Sequence, residues 1–92
     1  MRPFIAAVVQ TASVGFSAER TIDKAADYVA KGASYGAKLI VFPEAFIGGY
    51  PKGLDFGARV GTRTAAGRDY FRTYYEGAVE VPSKHTVRLG EI

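Results

Sequence analysis

Apolar positions fall along this chain in two rhythms. Phe4-Ile5-Ala6-Ala7-Val8-Val9 is an unbroken, partly β-branched apolar run. It predicts a strand buried on both faces and therefore central in its sheet. Gln10 to Phe16 reads as a loop with Gly15 as its turn residue. The rhythm then changes: Ile22, Ala25, Ala26, Val29 and Ala33 recur at three- and four-residue spacing, leaving Glu19, Asp23, Lys24, Asp27 and Lys31 mainly on the other side. This predicts an amphipathic helix of about 17 residues. Ser17 is its N-cap, Glu19 places an acid where the macrodipole favours one, and Gly36 stops it. A second continuous run, Leu39-Ile40-Val41-Phe42, predicts a second buried strand.

Strand, helix, strand is a βαβ unit, with parallel strands and a right-handed crossover, so the expected class is α/β. Ligands of such units sit beyond the carboxyl ends of the strands. There the second run breaks at Pro43 and presents a single carboxylate, Glu44, in a loop walled by Phe42, Phe46, Ile47 and Tyr50. A lone acid held among apolar side chains is where an enzyme would keep a general base, because burial raises a carboxylate's proton affinity toward the working pH. The plainer reading of Glu44 is a loop or N-cap carboxylate. Phe46 and Tyr50 either line a substrate pocket or pack the loop. Gly48-Gly49 is either a turn or a close approach of backbone to substrate, and no Gly-Lys-Ser/Thr follows to make a phosphate loop.

Beyond Pro51 the chain is rich in glycine and arginine up to Gly67 and reads as a long loop. Ala66 to Tyr75 predicts a helix whose aromatic face, Tyr70, Phe71, Tyr74 and Tyr75, suits a core or subunit contact better than a base-stacking platform. Ser83 caps a further helix carrying Thr86, Leu89 and Ile92 at three-residue spacing. That apolar pattern is still running at residue 92, so the expectation is the front part of a longer protein.

Composition narrows the function classes. A chain of 92 residues supports one domain at most, and 48% hydrophobic with 23% charged residues describes a globular protein. The net charge of +3 is small; Arg59, Arg63, Arg68 and Arg72 read as a solvated face with no nucleic-acid module beside them. There is no cysteine for a disulfide or thiolate site, and the single histidine, His85, cannot build a zinc site alone, so no metal or cofactor is expected. No apolar run approaches the roughly 20 residues that span a bilayer. Phe4 to Val9 is too short for a signal core. The expected location is cytoplasmic, with neither membrane nor nucleic acid as partner.

The segment from Gly36 to Pro51 resembles the glutamate motif of the nitrilase (carbon–nitrogen hydrolase) superfamily: a glycine, an apolar strand, Phe-Pro-Glu, then Gly-Tyr-Pro. Phe4 to Gln10 is similar to the family's opening strand. Pro51 to Gly57 and Tyr70 to Ser83 resemble the true nitrilase branch. The resemblance implies the N-terminal part of a four-layer α-β-β-α sandwich, residues 1–92 being a truncated piece of a single domain. It also implies a Glu-Lys-Cys triad in which Glu44 matches the glutamate. A thiol of pKa near 8.5 is only partly ionised at neutral pH, so an adjacent base raises its nucleophilicity. The nucleophile is missing here, and Lys52 does not occupy the place of the family's lysine, which follows later. The expected function is thus the front of a nitrilase turning an organic nitrile into its acid and ammonia, inactive by itself and a homo-oligomer in full-length form. The alternatives are a non-catalytic interaction or assembly module and a fragment of a related amidase.

Overall fold

Two parallel strands, β1 (Ile5–Val8) and β2 (Ala37–Val41), lie side by side and are joined through α1 (Ala18–Ser34). Two further helices follow, α2 (Ala65–Glu76) and α3 (Lys84–Glu91). The computed structural model describes residues 2–49 and 65–92. The result is a mixed α/β structure that opens with the expected βαβ unit.

Each boundary of α1 has a local cause. Ser17 is extended, and its Oγ accepts from the Arg20 N–H at 3.3 Å. At the other end the Tyr35 and Gly36 N–H groups donate back to the carbonyls of Gly32 and Ala33, at 3.1 and 2.9 Å. Gly36 then turns left-handed at φ 81°, a region a side chain would resist. In the preceding loop the left-handed residue is Phe16, at φ 51°, where the sequence pointed to Gly15.

Strand register decides which side chains share a face. Ile5 pairs with Ala37, Ala6 with Leu39, Ala7 with Ile40 and Val8 with Val41; a register shift sits between Ile5 and Ala6, leaving Lys38 over. The Val9 N–H continues the ladder to the Val41 carbonyl at 2.8 Å. A Cβ built on Gly32 of α1 would meet Ile40 Cδ1 at 2.8 Å and Ala7 Cβ at 3.8 Å, so Ala7 and Ile40 face the helix. Alternation then puts Ala6, Val8, Leu39 and Val41 on the opposite face.

The buried side of α1 consists of Ala18, Thr21, Ile22, Ala25 and Gly32. Ala33, expected on that side, is exposed. Gly32 takes the contact because a position without a Cβ lets the helix settle onto Ile40. Strands buried on both faces are not observed: Val8 is 73% exposed, because the described residues lay a helix over one face of the pair only.

α3 packs against α1. Ser83 caps it through a reciprocal box: its Oγ accepts from the N–H groups of His85 and Thr86, and Thr86 Oγ1 accepts from the Ser83 N–H at 2.9 Å. Arg88 ties the helices together by an ion pair to Asp23 and a hydrogen bond to the Glu19 carbonyl at 3.5 Å. On α2 the aromatic side chains of Tyr70, Phe71 and Tyr75 are exposed, with Phe71 and Tyr75 stacked at 6.5 Å. Among the described residues no helix is long and apolar enough to cross a membrane.

Candidate active site

β2 ends at Val41, and Pro43, which has no N–H to offer a neighbouring strand, carries the backbone off the sheet into a turn over residues 44–48. Glu44 opens that turn at the carboxyl end of the parallel pair, the place the βαβ argument assigned to it. Directly after it Ala45 is left-handed, with φ 53°. For a residue with a Cβ this costs on the order of 1–3 kcal/mol, and it persists only where the surroundings over-determine it.

Those surroundings are visible. The Gly49 N–H donates to the Ala45 carbonyl at 2.9 Å and closes the turn, with Gly49 at φ 88°. Phe46 is buried and stacks on Phe42, their centroids 5.3 Å apart. The Ser13 hydroxyl donates to the Phe46 carbonyl at 2.5 Å, joining the β1–α1 loop to the Glu44 turn. That loop is itself moored on α1. Thr21, wholly buried, accepts from the Val14 N–H at 3.1 Å and donates toward the Ser17 carbonyl at 2.8 Å. Lys24 Nζ donates to the Ala12 carbonyl at 2.6 Å.

The expected burial of Glu44 is not found: the residue is exposed and makes no hydrogen bond or ion pair with the described residues. The apolar members of its loop have turned the other way. Phe42, Pro43, Phe46 and Ile47 line a cavity of about 450 Å³ with Ala25 and Val29 of α1 and with Leu89 and Ile92. Phe46 therefore packs the loop and lines this cavity at once. A second cavity, about 250 Å³, separates Ala45, Gly48 and Gly49 from Phe71, Tyr74 and Tyr75 of α2 and from Ala78 and Val79. Three of the four aromatic residues of α2 thus border the Glu44 turn across this cavity, and Tyr70 does not. Tyr50, Lys52, Arg59 and Arg63 lie outside the described residues.

Ser13 and Thr21 escaped the reading of the sequence. Thr21 had a signal: it continues the buried spacing Ala18, Thr21, Ile22, Ala25, where a polar residue must find partners. Ser13 had none, because its partner is 33 residues away.

A carboxylate on a braced turn can accept a proton from whatever group is brought within hydrogen-bond reach. What that group is depends on relatives, and these are specific. The carbon–nitrogen hydrolase family matches residues 5–92. The chain belongs to that family. It is 47% identical over 87 residues to a bifunctional nitrilase/nitrile hydratase of Lupinus angustifolius, covering 95% of this chain and 25% of that protein. A second bifunctional nitrilase/nitrile hydratase, from Nicotiana tabacum, is 50% identical over 84 residues, covering 91% of this chain and 24% of its own length. An aliphatic nitrilase of Sinorhizobium fredii is 47% identical over 91 residues, covering 99% of this chain and 30% of that protein. The likeness is to nitrilases, the branch to which Pro51 to Gly57 and Tyr70 to Ser83 pointed. The chain spans 24–30% of the length of these curated relatives.

Proposed function

We propose that this chain is the Glu44-bearing segment of a nitrilase, which hydrolyses an organic nitrile to the carboxylic acid and ammonia. In this reading Glu44 takes the proton of a cysteine thiol as the sulfur attacks the nitrile carbon, then passes it to the nitrile nitrogen, giving a thioimidate and leaving Glu44 ionised again. One water, deprotonated by Glu44, displaces ammonia and leaves a thioester; a second water releases the acid and restores the thiol. The 92 residues contain no cysteine, so the thiol comes from outside them; the resemblance to the family puts the triad lysine outside them as well. The observation that carries the reading is a carboxylate presented at the carboxyl edge of a parallel pair by a turn with a left-handed Ala45, in a chain of the carbon–nitrogen hydrolase family.

The test is a chimera in which residues 5–92 replace the aligned segment of the Sinorhizobium fredii nitrilase. It should release ammonia from aliphatic nitriles, whereas the 92-residue chain alone should release none. Loss of a general base removes about 10²–10⁴-fold in rate, and Glu44→Gln in the chimera should lower kcat within that range. A folded Glu44→Gln chimera with parental kcat overturns the assignment.

A second reading, an interaction or assembly module, is favoured by the exposed face carrying Val8, Leu39 and Val41. A soluble, cooperatively melting monomer in size exclusion with light scattering favours that independent module.

A further inference from the structure

We propose that Ser13 is a positioning residue for the Glu44 carboxylate, an inference that rests on the general-base reading above. Glu44 has no hydrogen bond or ion pair of its own among the described residues, so its place is set by the backbone beneath it. That backbone is strained at Ala45 and relaxes unless it is held. Two described hydrogen bonds hold it. The bond from the Gly49 N–H to the Ala45 carbonyl is internal to the turn and moves with it.

The bond from Ser13 Oγ to the Phe46 carbonyl comes from outside, across 33 residues of chain. Ser13 is in turn flanked by two moored neighbours, Ala12 on Lys24 and Val14 on the buried Thr21, so its hydroxyl carries the rigidity of α1 to the backbone of the turn. The stacking of Phe46 on Phe42 fills space but leaves the peptide free to rotate, whereas the hydroxyl fixes the direction of the carbonyl two residues beyond Glu44. A general base works within hydrogen-bond reach of its proton, and a misplacement of about 1 Å can cost about 100-fold.

Two measurements test this. In the 92-residue chain, the Gly49 amide reports the turn by hydrogen exchange. Ser13→Ala should raise its exchange at least about ten-fold by easing local opening, and Ser13→Thr, which keeps the hydroxyl, should not. Unchanged exchange in the alanine variant overturns the brace.

In the chimera, Ser13→Ala should lower kcat about 10–100-fold with KM within about two-fold, the pattern of a displaced catalytic group, and Ser13→Thr should recover most of it. Parental kcat in folded Ser13→Ala, or equal losses in the alanine and threonine variants, overturns the positioning role. Where Ser13→Ala does not fold, Ser13→Thr decides: parental kcat supports the role and a lowered kcat overturns it. The Glu44→Gln chimera separates the two ideas. If it keeps parental kcat, the general-base reading falls and the positioning role with it. If it is inactive while Ser13→Ala is unaffected, the role of Ser13 alone falls.

Discussion

One face of the β1–β2 pair carries Ala7 and Ile40 under α1; the other carries Ala6, Val8, Leu39 and Val41 with nothing described above it. Both are apolar, yet Ala7 and Ile40 are half-buried while Ala6, Val8, Leu39 and Val41 are exposed. The pair therefore shows that an apolar run states what a strand is suited to, whereas the layers around it decide what is buried. Burial stabilises by roughly 25 cal/mol for each Å² actually withdrawn from solvent, so the stability of the described unit resides on the α1 side. There Ile22 and Thr21 are 0% exposed, against 73% for Val8.

Substitutions on the two faces put that contrast at risk. The largest effect belongs to Ile22→Ala in α1. Removing a wholly buried side chain should cost about 2–5 kcal/mol, read as a lower urea midpoint of the 92-residue chain. A loss below about 0.5 kcal/mol, the scale of an ordinary surface change, would mean that the α1 side is not the core.

Gly32→Leu comes next. It drives a side chain into Ile40 where even a Cβ would sit at 2.8 Å, and overpacking of this kind costs about 1–3 kcal/mol. The smallest effect is predicted on the open face: Val8→Thr keeps the β-branched shape and should change stability by no more than about 0.5 kcal/mol. A loss there matching that of Gly32→Leu would reveal a cover over Val8 and erase the difference between the faces.

A similar contrast separates the two carboxyl-end loops. The β1–α1 loop is moored to α1 by Thr21 and Lys24, while the Glu44 turn borrows its restraint through Ser13. This explains why the place of Glu44 was legible in the sequence and its environment was not. Its place follows from a strand that ends at Pro43, a local event. Its exposure follows from Phe42, Phe46 and Ile47 turning toward α1 and Leu89, a choice made by partners distant in the chain.

The same division holds for α1. Ser17 and Gly36 were readable as its ends because caps act on neighbouring N–H and C=O groups. Its contact residue was misjudged by one position, Gly32 in place of Ala33, since periodicity locates a stripe but not the point where the strand presses hardest. The helix starting at Ser83 was likewise readable, and its attachment to α1 through Arg88 and Asp23 was not.

By itself the sequence determined the order of elements, their caps, the parallel βαβ unit and the position of Glu44 at its carboxyl edge, together with the family carrying that motif. Each depends on residues within a few positions of one another, where spacing and backbone preference act directly. Only the tertiary structure decided which strand face is covered, that Glu44 stands in solvent, and that a serine from the other loop holds its turn. Those outcomes depend on pairs such as Ser13 with Phe46 and Gly32 with Ile40, one far apart in the chain and the other set by how closely a helix settles on a strand, and neither distance is a property of the residues along the chain.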